Sequence, residues 1–142
     1  YLANYYFLPQ MLEKKYGTII NMASVSGLLA EPGLAAYNTA KGAIVNMTRN
    51  MALDYAKDGI RVNSVCPGIT RSEIAQYTFD HVPGSEKAFR DSVPVNYIAE
   101  PVEVANAVVF FASRKCDFIT GVNLPIDGGI SAHTGHPNTG TY

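Results

Sequence analysis

Apolar positions fall into short unbroken runs separated by long stretches of helical spacing. Tyr1 to Lys15 is apolar and aromatic with a charged end, and predicts the tail of a buried helix closed by Gly17. Thr18 to Ala23 is a short β-branched, apolar run after a glycine, which predicts a buried strand. Small and turn-forming residues follow from Ser24 to Gly33. Residues 34–57 predict the longest helix, with apolar positions at Ala36, Ala40, Ala43, Met47, Met51 and Tyr55. Gly42 inside it costs about 1 kcal/mol relative to Ala, and Gly59 ends it. Ile60 to Cys66 predicts a second strand, stopped by Pro67-Gly68.

Residues 70–98 are more polar and predict one or two short helices with mobile connections. Pro101 opens another helix, whose stripe is Val104, Ala105, Val108, Phe111 and Ala112. Val122 to Asp127 predicts a third strand, ended by Gly128-Gly129. The tail, 130–142, is rich in Gly, Thr, His and Pro and is expected to be loose without a partner chain. Strand, helix, strand, helices, strand is the order of a parallel sheet with right-handed crossovers. Three such strands alone would leave an apolar edge open, so the pattern reads as half of a doubly wound α/β domain. A first residue of Tyr1 rather than Met fits a processed terminus or part of a longer chain.

Composition narrows the function classes. The 142 residues are 47% hydrophobic and 16% charged, which is globular chemistry rather than disorder. Eleven basic against twelve acidic side chains give a net charge of −1, so no global field attracts nucleic acid or acidic lipid. No apolar stretch approaches the roughly 20 residues that span a bilayer, and no secretory signal pattern opens the chain. Cys66 and Cys116 are too few for a disulfide framework or a zinc site and fit reduced thiols in the cytoplasm. His81, His133 and His136 lack accompanying carboxylates and read as surface histidines, not metal ligands. Tyr5, Tyr6 and Phe7 read as helix packing rather than a ligand cage.

The chemistry concentrates in Ser24, Tyr37 and Lys41. Tyr37 and Lys41 are four apart on the long helix and share one face. Ser24 follows the carboxyl end of the first strand, where ligands sit in open α/β sheets. A phenol titrates near pH ~10, and a neighbouring ammonium favours its ionised form. Such a phenol can exchange a proton with an alcohol or carbonyl oxygen, which a serine hydroxyl can hold as charge develops. No side chain supplies a hydride, whereas a nicotinamide does.

Ser24, twelve residues, Tyr37, three residues, Lys41 resembles the active-site signature of the classical short-chain dehydrogenase/reductase family. Gly17 to Ser24 resembles that family's fifth strand, and Asn63 to Ser72 its sixth strand with the Pro-Gly segment beyond. Pro101 to Asn106 is similar to the opening of its last long helix. Ile119-Thr120-Gly121 and Ile126 to Gly129 resemble the surroundings of its final strand. The likeness runs from about Leu8 to Gly129.

The resemblance implies that residues 1–142 are the catalytic and substrate-binding half of one Rossmann-type domain. It implies hydride transfer between NAD or NADP and a secondary alcohol or ketone, with a 3-oxoacyl thioester as the alternative substrate. Tyr37 would be the general acid/base, Lys41 would hold the nicotinamide ribose and support Tyr37, and Ser24 would orient the carbonyl. Pro67, Gly68, Ile69 and Thr70 would line the nicotinamide. Ser72 stands where the family usually has a Thr, and Ser26 is two residues off the signature spacing. Residues 73–96 read as a substrate lid or an ordinary surface excursion. The family's glycine-rich phosphate loop, its Asn-Ala-Gly segment and its cofactor selector would precede this region. Asn4 lies on the right helix for the family's fourth active-site residue but at the wrong spacing. The resemblance also implies a homodimer or homotetramer associating through residues 38–57 and 101–129. A contrasting reading is an inactive remnant whose role is association, although the intact triad argues against decay.

Overall fold

The computed structural model describes residues 1–136 and 140. Three parallel strands, β1 (Gly17–Met22), β2 (Ile60–Pro67) and β3 (Asn123–Ile126), lie in the order β1-β2-β3. Gly17 pairs with Ile60 and Ser64 with Asn123, so each pairing needs a long crossover. Among the described residues five helices accompany the sheet: α1 (Leu2–Lys14), α2 (Ala35–Tyr55), α3 (Glu73–His81), α4 (Ser85–Ser92) and α5 (Pro101–Ala112).

The layers follow from the side-chain alternation of the strands. Ile19, Ile60 and Val62 bury against Met51 and Ala52 of α2, with Leu8, Met11 and Leu12 of α1 closing the cluster. On the opposite face, Val65 packs with Val104, Phe111 and Cys116, and Ile20, Val108 and Leu124 complete that side. β2 is therefore covered on both faces, and even its polar residues are buried.

Those polar residues are hydrogen-bonded within the fold. Asn63 is fully buried; its amide donates to the Ile119 carbonyl at 2.9 Å and its oxygen accepts from the Val122 N–H at 3.0 Å. Arg61 donates to the Phe111 and Ser113 carbonyls at 3.1 and 3.2 Å, closing the C-terminal end of α5, and faces Asp117 at 3.6 Å. Pro101 starts α5, and the Glu103 carboxylate accepts from the Glu100 N–H at 2.8 Å.

Four sequence expectations are corrected. The first helix ends at Lys15, which adopts the left-handed conformation with φ 51°, while Gly17 already belongs to β1. That helix contains no buried residue, and Tyr5, Tyr6 and Phe7 are exposed rather than packed in the core. On α2 the buried face is Val45, Thr48, Met51 and Ala52, whereas Ala36, Ala40 and Ala43 are exposed. Alanine carries little apolar area, so contact with the sheet chose the face. On α5, Val104 and Phe111 are buried but Ala105 and Ala112 are exposed for the same reason. Part of the expected loose tail, residues 137–139, 141 and 142, lies outside the described residues.

Asp127 organises the turn after β3. Its carboxylate accepts from the Gly129 N–H at 3.0 Å and the Ser131 N–H at 2.8 Å. Burial alone would raise its pKa, but hydrogen bonds from Ser131 and Gly129 together outweigh that and hold the carboxyl below its ordinary value. A depressed folded-state value gives stability that is fully present above the unfolded pKa of about 3.9 and is lost as pH falls through the folded value. Accordingly, the urea midpoint should drop further between about pH 6 and about pH 3 in the wild type than in Asp127→Asn. Equal acid losses in both proteins would remove this role from Asp127.

Candidate active site

β1 delivers Ser24 to the carboxyl end of the sheet. Ser24 opens a 3-10 turn (Val25–Gly27) with extended backbone, and its Oγ accepts from the Ser26 N–H at 3.2 Å. The Gly27 N–H donates to the Ser24 carbonyl at 2.9 Å. Ser24 is buried, 7% exposed, and its hydroxyl proton is left for another acceptor.

The turn packs directly on α2. A Cβ on Gly27 would lie 2.7 Å from the carbonyl carbon and oxygen of Lys41. Only glycine permits this approach, and it sets the Ser24 turn against the helix segment that carries Lys41. Gly42, the helix-weakening residue of the sequence pattern, faces the Gly27 carbonyl with its ideal Cβ position 3.8 Å away. Gly27→Ala is therefore expected to cost about 1–3 kcal/mol of stability through backbone displacement. In the complete protein the same displacement should lower the rate of any reaction at this site by about tenfold or more. Thermal melting and steady-state rates measure the two effects, and an unperturbed rate would show that the approach does not align the site.

Tyr37 lies in the first turn of α2, 44% exposed, with its ring available at the surface. The Lys41 ammonium sits 5.6 Å from the Tyr37 ring centroid and donates to the Met22 carbonyl at 3.1 Å. An ammonium has three donors, so two remain for a ligand. The structure thus gathers Ser24, Lys41 and Tyr37 around one strand end and one helix turn.

The remaining expected residues occupy the next strand end. Pro67 closes β2, and Gly68 follows with its Cα against Asp127, where a Cβ would lie 2.9 Å from the Asp127 Cα. The Gly68 N–H donates to the Ile126 carbonyl at 3.0 Å. Ile69 lines a small cavity with Val93, Val95 and Asp127. Thr70 bridges to Ala99, and its hydroxyl donates to the Gly68 carbonyl at 3.3 Å. Ser72 caps α3, its Oγ accepting from the Ala75 N–H at 3.2 Å. Helices α3 and α4 carry most of the 73–96 segment; Arg71 donates to Gln76 of α3 at 3.3 Å and to Glu86 of α4 at 2.8 Å, and faces Glu100 before α5 at 3.4 Å.

Other polar groups near the site are structural. The Asn21 amide donates to the Thr48 hydroxyl at 2.9 Å, and the Asn4 amide reaches the Asn21 oxygen at 3.4 Å. Asn4 thus supports β1 from α1 rather than joining Ser24. Burial pushes the Cys66 thiol up, and a hydrogen bond shared with the Ser64 hydroxyl opposes it only in part. Among the described residues, no group of three His, Cys, Asp or Glu side chains could hold a metal ion. Ser26 and Glu31, joined by a hydrogen bond of 2.9 Å, were not singled out by the sequence pattern as a pair. Their separation of five residues across a turn carries no periodic signal.

A hydroxyl, a phenol and an ammonium beside the carboxyl end of a parallel α/β sheet place the chain in the class of open α/β folds that bind ligands at the ends of their strands. The comparisons agree with that class. A family model described as "Enoyl-(Acyl carrier protein) reductase" matches residues 2–131. The meso-2,3-butanediol dehydrogenase of Serratia marcescens is 44% identical over 130 residues, covering 92% of this chain and 50% of that protein. The gluconate 5-dehydrogenase of Burkholderia cenocepacia, solved with NADP and tartrate, superposes with a TM-score of 0.84 at 31% identity, covering 89% of this chain and 49% of that one. A 4-hydroxyisoleucine dehydrogenase complexed with NADH gives a TM-score of 0.87 at 34% identity, covering 93% and 54%. The chain belongs to the short-chain dehydrogenase/reductase family. It spans about half the length of the curated relatives it matches.

Proposed function

We propose that this chain is the catalytic and substrate-binding half of an NAD- or NADP-dependent oxidoreductase acting on secondary alcohols and ketones. The observation that carries the reading is the close packing of the Ser24 turn on α2 at Lys41, beside Tyr37. The free donors of Lys41 fit ribose hydroxyls, and the Pro67-Gly68 backbone with Ile69, Thr70 and Ser72 offers a wall for a nicotinamide. When bound, that group supplies or accepts the hydride.

Each side chain then has a distinct task. Ser24, whose Oγ already accepts from Ser26, donates its proton to the substrate oxygen and holds it as negative charge develops. Tyr37 gives a proton to that oxygen in reduction and takes it back in oxidation. Lys41 supplies positive charge beside the phenol ring and binds the sugar. Helices α3 and α4 form a substrate lid, and the complete protein works in the cytoplasm as a homodimer or homotetramer. The relatives' butanediol and gluconate substrates support small, hydroxyl-rich molecules as the substrate class.

The test is absorbance of the reduced nicotinamide with the complete protein. The substrates are a panel of secondary alcohols, diols, ketones and one 3-oxoacyl thioester, each with NAD(H) and NADP(H). Turnover on a small alcohol is expected. Turnover confined to the thioester would replace the substrate class, and none on the whole panel would favour an association role.

A further inference from the structure

Glu31 touches both ends of the loop that joins Ser24 to Tyr37. On one side, the buried Ser26 hydroxyl donates to Glu31 Oε2 at 2.9 Å, and the Ser26 N–H donates to Ser24 Oγ at 3.2 Å. On the other, the Glu31 carbonyl accepts from the Leu34 N–H at 3.3 Å and from the Asn38 side-chain amide at 2.9 Å. Asn38 adjoins Tyr37 in the first turn of α2. One residue thus indexes the serine turn and the tyrosine helix against each other.

The physical case rests on the Ser24 rotor. A serine hydroxyl has one proton and two lone pairs. A donor held at one lone pair limits where the proton can point. The donor here, the Ser26 N–H, sits in a three-residue 3-10 turn, a geometry with poor intrinsic hydrogen bonding. The bond from the Ser26 hydroxyl to a carboxylate is charge-assisted and roughly twice as strong as a neutral one. It ties the middle of the turn to the far side of the loop.

Resting on the oxidoreductase reading above, we propose that Glu31 is a positioning residue that acts through Ser26. It holds the Ser26 N–H on Ser24 Oγ, so that the Ser24 proton is aimed at the substrate oxygen. Glu31 itself touches neither substrate nor cofactor in this role.

The test uses the complete protein and the best alcohol substrate from the panel. Glu31→Ala and Ser26→Ala should each lower kcat by about tenfold while leaving the cofactor KM and the melting temperature near wild type. The double variant should lose no more than either single, because both remove the same link. Glu31→Gln keeps an acceptor for the Ser26 hydroxyl and should recover most of the rate. Wild-type kcat in Glu31→Ala, or multiplied losses in the double variant, would overturn the proposal. So would a fall in melting temperature that tracks the rate. Absence of wild-type turnover on every substrate would instead overturn the oxidoreductase reading, a separate and recognisable outcome.

Discussion

Tyr37→Phe in the complete protein should lower turnover by about 10³-fold, within the 10²–10⁴ range of a lost general acid/base. The substitution removes one oxygen from a ring that is 44% exposed, and no partner within the described chain hydrogen-bonds to that hydroxyl. Packing should therefore be unchanged, and the 5.6 Å placement of Lys41 over the ring should persist. Stopped assays would show a normal melting temperature with almost no nicotinamide oxidation. A rate within threefold of wild type would exclude Tyr37 as the proton-transferring group, whatever its position.

The largest effect on stability is expected at Asn63. Replacing it by Leu keeps the volume but orphans the Ile119 carbonyl and the Val122 N–H, at about 1–3 kcal/mol each. A loss of several kcal/mol is a large part of the roughly 5–15 kcal/mol that holds a domain together. The urea midpoint should fall sharply in Asn63→Leu. A midpoint matching the wild type would show that water replaces both bonds.

How much of this was legible beforehand depends on how local each feature is. Ser24, Tyr37 and Lys41 could be read because strand end, turn and helix face lie within eighteen residues of each other. Parallel topology was legible because apolar runs alternate with helical periods. Arg61 and Asn63 were not: a polar residue in a strand normally marks a solvent face, and their partners lie some fifty or more residues away. On α2 the stripe holds at Met47, Met51 and Tyr55 and fails at Ala36, Ala40 and Ala43, because alanine has the right period but little area to bury. Gly27 could be seen only as a turn residue, since nothing in the pattern says that a carbonyl of Lys41 fills the place of its side chain.

The strand order also sets the sequence of assembly. Among the described residues no two strands are joined by a hairpin, so each of these pairings must wait for a distant segment to be made. β1 and β2, together with the crossover that carries Ser24, Tyr37 and Lys41, are complete once Pro67 has been synthesised. Ser24, Tyr37 and Lys41 thus come together from a stretch of chain that precedes both partners of Asn63, which arrive only with residues 119–122. A ribosome-bound chain at that stage carries those three residues beside a β2 strand that still lacks its β3 neighbour. Pairing of β3 with β2 supplies the partners of Asn63 and covers a strand edge that is open to edge-to-edge association until then.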